Sequence, residues 1–254
     1  MGVAVVSICQ QTECSQRLLS EERSWNGATY TGEWLGHMRH GVGTQVWPDG
    51  GKYTGQWQND RAAGHGRFDH GDGDVYEGEW ENDKAHGKGT YSHASGSKYE
   101  GEWCEDRQHG EGCQVWTDGA RYEGQHAGGR KSGFGTFSWA DTSSYEGEFL
   151  ENDLHGHGKY TWADMRRFEG EWVRNRMHGK GIYSWADGRC YEGEYKDDLK
   201  DGTGTFTWPN NCKYQGQWKG GMQHGLGTYM ESSGDQREGV WENGVRTCWE
   251  GQSL

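Results

Sequence analysis

A five-residue signature, aromatic-x-Gly-x-aromatic, recurs in one unbroken register along the chain. It starts at Tyr30, Tyr53, Tyr76, Tyr99, Tyr145, Phe168, Tyr191 and Tyr214, with degenerate copies at Tyr122 and Arg237. These ten starts fall 23 residues apart without an insertion or deletion. A Gly-x-Gly step keeps the same interval from Gly41 to Gly225. A period between 20 and 50 residues marks an array of stacked units, each too small to bury its apolar face alone.

Composition supports an array over a globule. Glycine supplies 45 of 254 residues, and Leu, Ile, Val and Phe together only 26. Such a low aliphatic content with a net charge of −13 has the look of a disordered chain. The 34 aromatics contradict that, and 31 of them fall in four fixed slots of the repeat. With two prolines and no glycine every third residue, a collagen helix is excluded.

In an extended chain alternate side chains share a face. Tyr76, Gly78 and Trp80 therefore point one way and Glu77 and Glu79 the other, as do Tyr99, Gly101 and Trp103. In a second strand Gly204, Phe206 and Trp208 share a face, ahead of Tyr214 and Trp218 in the next repeat. Asp-Gly pairs at 49–50, 72–73, 118–119 and 187–188 supply turns. The connection Glu81 to His86 reads as a polar loop. Each repeat is thus a β-hairpin with one aromatic-and-glycine face. The glycines make room for rings from the adjacent strand. The expected fold is all-β: an elongated single-sheet hairpin solenoid with a right-handed twist, about 95 Å long for 20 strands at about 4.8 Å.

Units such as Tyr76-Glu-Gly-Glu-Trp80 followed by His86-Gly-Lys-Gly-Thr-Tyr91 resemble MORN repeats (membrane occupation and recognition nexus). The resemblance implies a twisted all-β rod with a scaffolding or tethering role. Similar repeats occur in ciliary radial-spoke heads, junctional membrane tethers, protozoan cortical scaffolds, plant phosphoinositide kinases and a lysine methyltransferase, so it implies no one function. Three segments are expected: a leader or cap over 1–24, the solenoid over 25–245 and a tail over 246–254. Within the leader, Ser15 to Ser24 reads as a short helix whose Leu18 and Leu19 would cover the first hairpin. Arg237 for tyrosine and Glu231 for tryptophan make the last repeat a polar cap or a partner-adapted surface.

Motifs for chemistry are absent from the sequence. No Gly-x-Gly copy lies in a phosphate-loop pattern, and neither GxSxG nor HExxH occurs, so no catalytic residue and no cofactor is expected. The histidines before each Gly-x-Gly (His40, His86, His109, His155, His178, His224) lie two strands apart. That is about 9–10 Å, too far for one zinc ion to join two rungs. They read as turn residues; the resemblance leaves zinc across a dimer interface as the alternative. Seven cysteines without CxxC spacing read as free thiols in a reducing compartment. An acidic chain is not a nucleic-acid binder. The stripe of 13 glutamates on the polar face repels anionic lipid and attracts basic partners, or simply wets the sheet.

The fifth repeat departs from the rest: His126 replaces the tryptophan and Gly128 and Gly129 follow, which suggests a bend or a partner docking point over 126–132. Near the start, Gly2 and Cys9 are acylation candidates, although Val6 stands where myristoylation wants Ser or Thr.

The expected function is a non-enzymatic adaptor in a cytoskeletal assembly, of axonemal radial-spoke-head type, cytoplasmic and bound to other proteins. Two alternatives stay open: a peripheral membrane tether with an acylated N-terminus, which is less favoured, and a soluble module that binds partners through its aromatic groove. Self-association through terminal repeats is also left open by the resemblance.

Overall fold

The computed structural model describes residues 19–249. They form 21 strands, each antiparallel to the one before it, in a single open sheet with no helix among the described residues. Seven-residue strands such as Val75–Glu81 alternate with nine-residue ones such as Lys84–Ser92.

Two kinds of turn link them. After a nine-residue strand, Trp47 N–H donates to the Gly51 carbonyl at 2.8 Å and Gly50 N–H to the Trp47 carbonyl at 3.1 Å. Gly50 there has φ +89°, the conformation that Asp-Gly pairs favour. The connection read from sequence as a loop over Glu81 to His86 is instead a two-residue turn. Glu81 pairs with Lys84, and Asn82 and Asp83 both take positive φ (52° and 67°). Asn and Asp tolerate that region, so Asn-Asp serves as a type I′ hairpin turn that twists with its strands.

These turns also tie successive repeats together. The Asp83 carboxylate accepts the Ala62 N–H at 2.7 Å, and Asp60, Asp106, Asn152, Asn175 and Asp198 repeat the contact one repeat back.

The sheet runs past both expected boundaries of the solenoid. Leu19–Trp25 is a strand paired with Ala28–Leu35, where a helix over Ser15 to Ser24 was expected. An edge strand leaves a row of unpaired N–H and C=O groups, and a further strand satisfies one row where a helix would not. Leu18 lies outside the described residues. At the other end Val245–Trp249 forms a strand where a tail was expected, with the Arg246 guanidinium 3.8 Å and that of Arg237 5.8 Å from the Trp249 ring centre.

Candidate partner-binding face

The aromatic face has a floor and a rim. On the floor, the Tyr76 ring lies across its own Gly78 and the facing Gly89, and its hydroxyl donates to the Glu79 carbonyl at 2.9 Å. A Cβ at Gly89 would overlap that ring, so glycine is required by close approach. Trp80 reaches back one repeat, its indole N–H donating to the Gly66 carbonyl at 3.0 Å, and Trp103 and Trp218 make the same bond to Gly89 and Gly204 at 3.1 Å. Each floor ring stands edge-to-face between the second ring of its own repeat and that of the next, in most repeats a tryptophan: Tyr76 is 5.1 Å from Trp80 and 5.2 Å from Trp103. This is the favoured aromatic geometry. The ladder continues without a gap from Trp34 to Trp249. Tyr76, Tyr99, Trp103, Phe206, Tyr214 and Trp218 are buried, while Trp80 and Trp208 are half-buried.

The rim comes from the second strands and the turns after them. From Trp116 through Phe137, Trp139, Tyr160, Trp162, Tyr183, Trp185, Phe206 and Trp208 to Tyr229, successive centroids lie no more than 5.9 Å apart. Most of these rings are half-buried, so apolar surface is presented in a continuous rail. Gln114 interrupts it, and His70 and His93 stand in tryptophan slots on the N-terminal side. Between rim and floor, Lys131, Phe149, Leu154, Tyr160 and Trp172 help line a groove of about 490 Å³.

One position per repeat lies between floor and rim and varies most in chemistry: Arg39, Ala62, Ala85, Gln108, Lys131, Leu154, Met177, Lys200, Gln223 and Arg246. At Lys200 the ammonium faces four rings, Trp185, Tyr191, Phe206 and Trp218, at 4.6 to 5.1 Å. Burial, with the Arg189 charge adding to it, pushes this amine down to about 8, against the pull of the ring faces. Lys131 sits likewise over Trp116, Tyr122 and Phe137, and burial lowers it too. The Arg39 guanidinium stacks on Trp57 at 4.1 Å and bonds to the Asp60 carboxylate. Sequence reasoning missed this position because it lay inside the supposed loop. The Asn-Asp turn pair was the signal: it starts the strand at Lys84 and so turns Ala85 inward.

The fifth repeat differs from the sequence expectation. His126 is buried, 4% exposed, in the tryptophan slot between Tyr99 and Tyr122, while Gly128 and Gly129 are exposed. Neither ring nitrogen has a protein hydrogen-bond partner, and burial, with Lys131 adding to it, pushes the imidazole down to about 4. Gly128 and Gly129 make the same two-residue turn as Asn82-Asp83, and the bulge after Gly124 matches those of neighbouring repeats, so the ladder passes through without a break. Gly2 and Cys9 lie outside the described residues.

On the opposite face, where a first strand carries two glutamates, they have different roles. Glu79 accepts the Lys88 N–H at 3.1 Å beside positive-φ Gly87, as Glu148 and Glu171 do for His157 and Lys180 at 2.9 Å. Only the earlier glutamate, Glu77 and its equivalents, is left to solvent and surface ion pairs such as Arg121–Glu123. Among the described residues no group of three His, Cys, Asp or Glu side chains is placed to hold a metal ion, and the five described cysteines are unpaired.

The MORN repeat family model matches nine consecutive segments: 30–52, 53–75, 76–98, 99–121, 122–144, 145–164, 168–188, 191–213 and 214–236. No curated protein matches the chain. Among solved structures, the TCP10 domain of Danio rerio CPAP in complex with a STIL peptide is 9% identical, with a TM-score of 0.48 over 91% of this chain and 98% of that one. The SAS-4 TCP domain of Drosophila melanogaster with a proline-rich motif of Ana2 is 12% identical, with a TM-score of 0.38 over 76% and 99%. At such values these likenesses fix neither function nor partner.

Proposed function

Because the chain belongs to the MORN-repeat family, a non-enzymatic repeat module, we propose that it is a structural adaptor of a cytoskeletal assembly whose docking surface is the aromatic face. The observation that carries this reading is the continuous rail from Trp116 to Tyr229 with the groove beneath it, more apolar surface than a chain with no partner has reason to expose. On the polar face, by contrast, the later glutamates hold their own bulges, and the exposed apolar side chains there, Val42, Phe134, Ile182 and Leu226, stand one to a strand rather than ring against ring. A net charge of −13 disfavours nucleic acid and anionic lipid and suits basic protein surfaces. Within that class we place it in the cytoplasm as an axonemal component of radial-spoke-head type, without enzymatic activity, on the family resemblance and the constant period. The test is purification of native complexes with cross-linking. Partners of a cytoskeletal assembly cross-linked to rail residues are expected; recovery only as a membrane-bound monomer, or cross-links confined to the glutamate face, overturns the reading.

A further inference from the structure

The ring slot that holds Lys200 recurs in the second and third repeats without its cation. Around Ala62 stand Trp47, Tyr53, Phe68 and Trp80, the counterparts of Trp185, Tyr191, Phe206 and Trp218. The rings keep the same spacing around the smaller side chain, which is itself buried. Trp47–Phe68, Tyr53–Trp80 and Phe68–Trp80 lie 5.4, 5.2 and 6.3 Å apart. The corresponding pairs around Lys200 lie 5.7, 5.0 and 6.3 Å apart. The cover differs instead: Phe206 and Trp218 are buried beside Lys200, whereas Phe68 and Trp80 are left half-buried. Around Ala85 stand His70, Tyr76, Tyr91 and Trp103, with Tyr76–Trp103 and Tyr91–Trp103 at 5.2 and 6.2 Å; here Tyr91 is half-buried, Trp103 is buried, and a histidine takes the place of one tryptophan.

These two slots also have what the Lys200 slot lacks. Asp83 binds the Ala62 N–H and Asp106 the Ala85 N–H, at 2.7 and 2.8 Å, where the Lys200 repeat has Gly221. In the first repeat the equivalent carboxylate, Asp60, does hold a cation: it bonds to Arg39 N–H at 2.8 Å and to Arg39 Nε at 3.4 Å while the guanidinium lies on Trp57. The charge of Asp83 is felt at the cage floor, where, after burial, it is the cause that raises the Tyr53 phenol. Over residues 41–110, thirteen carboxylates face seven Lys and Arg side chains, so the surroundings favour a basic guest.

We infer that the Ala62 and Ala85 slots are twin aromatic cages for two lysine ammonium groups of a partner protein's basic segment. Lysine is the guest that the counterpart rings already hold at position 200, with His70 in place of a tryptophan at the Ala85 slot. The cages lie two strands apart, about 9.6 Å. A polyproline II segment brings residues i and i+3 onto one side about 9.3 Å apart, so the segment has the pattern Lys-x-x-Lys. The inference rests on the reading of the aromatic face as the docking surface and names the chemistry of what docks at its N-terminal end.

The test uses the full chain with nitrogen-15-labelled tryptophan and a blocked Lys-Pro-Pro-Lys peptide. Saturable shifts of the Trp80 and Trp103 indole N–H signals are expected, with Trp218 silent because Lys200 fills its cage. The same peptide with norleucine for both lysines is expected to bind at least tenfold more weakly. Ala62→Lys fills one cage from within and weakens binding at least tenfold, its unchanged Trp218 signal reporting that the chain is folded. Lys200→Ala is expected to make Trp218 respond to the peptide. Equal binding of the norleucine peptide, silence of Trp80 and Trp103, or undiminished binding to Ala62→Lys overturns the inference. If it fails while native partners still cross-link to the rail between Trp116 and Tyr229, the docking reading stands alone. If cross-links avoid the aromatic face altogether, that reading falls whatever the peptide does.

Discussion

Ala62 and Lys200 occupy the same point of the same backbone, six repeats apart, and their surroundings differ in opposite ways. The Lys200 slot contains a cation without a carboxylate, since Gly221 stands where the turn would supply one. The Ala62 slot contains the carboxylate of Asp83 without a cation. The ring spacings agree to within 0.3 Å in the two slots. The cage is therefore a property of the floor and rim, and its occupant and charge are set by two substitutable positions. In a stacked array each unit touches only its neighbours, so one slot can change without disturbing a distant one.

The largest expected effect removes the cage itself. Gly66→Ala and Gly204→Ala each put a Cβ into the floor ring, Tyr53 or Tyr191, and each is expected to cost about 3 kcal/mol. Denaturant unfolding with amide exchange in the affected repeat measures this; a loss confined to one of the two slots would break their equivalence.

The junction between the two regions is next. With its imidazole held near 4 in the folded chain and near 6.5 unfolded, His126 leaves the unfolded state binding more protons between those values. Stability is therefore lost as pH falls through that window, by about 3 kcal/mol in full. In His126→Trp this loss is absent, seen as a flatter profile of unfolding midpoint against pH from 7 to 4.

Lys200→Met keeps the ring cover and drops the charge. Because the buried amine is held below its usual value, the wild type gains stability as pH rises from about 8 to about 10.5. The variant is expected to be about 1 kcal/mol more stable at pH 7 and to lack that gain.

The smallest change sharpens the comparison most. Gly221→Asp places a carboxylate in the Lys200 slot at a turn position whose equivalents Asp83 and Asp198 already take positive φ. The Lys200 amine is expected to move up toward 10, read by nitrogen-15 titration, with a stability gain of a few tenths of a kcal/mol.

Much of the fold was legible because the 23-residue period is held without insertion or deletion, so a ring such as Tyr76 always meets the same glycines. Two local signals were passed over. Asn82-Asp83 is a turn pair as informative as Asp-Gly, and reading it as a loop hid the strand start and the inward position of Ala85. Glu79 looked like one more solvated charge, although beside a positive-φ glycine its carboxylate satisfies a backbone N–H. His126 looked like lost packing open to a partner, yet an imidazole is planar and thin enough to keep the edge-to-face ladder intact.

The sequence by itself determined the repeat, the all-β class, the sharing of rings and glycines on one face, and the family. Those follow from alternation along a strand, which any reader of the chain can count. Only the tertiary structure decided where cations and carboxylates meet rings. Each cage is assembled from three consecutive repeats, with Trp47, Ala62 and Trp80 brought together across strands. A distance between side chains 15 or more residues apart depends on register and bulges that no local pattern states.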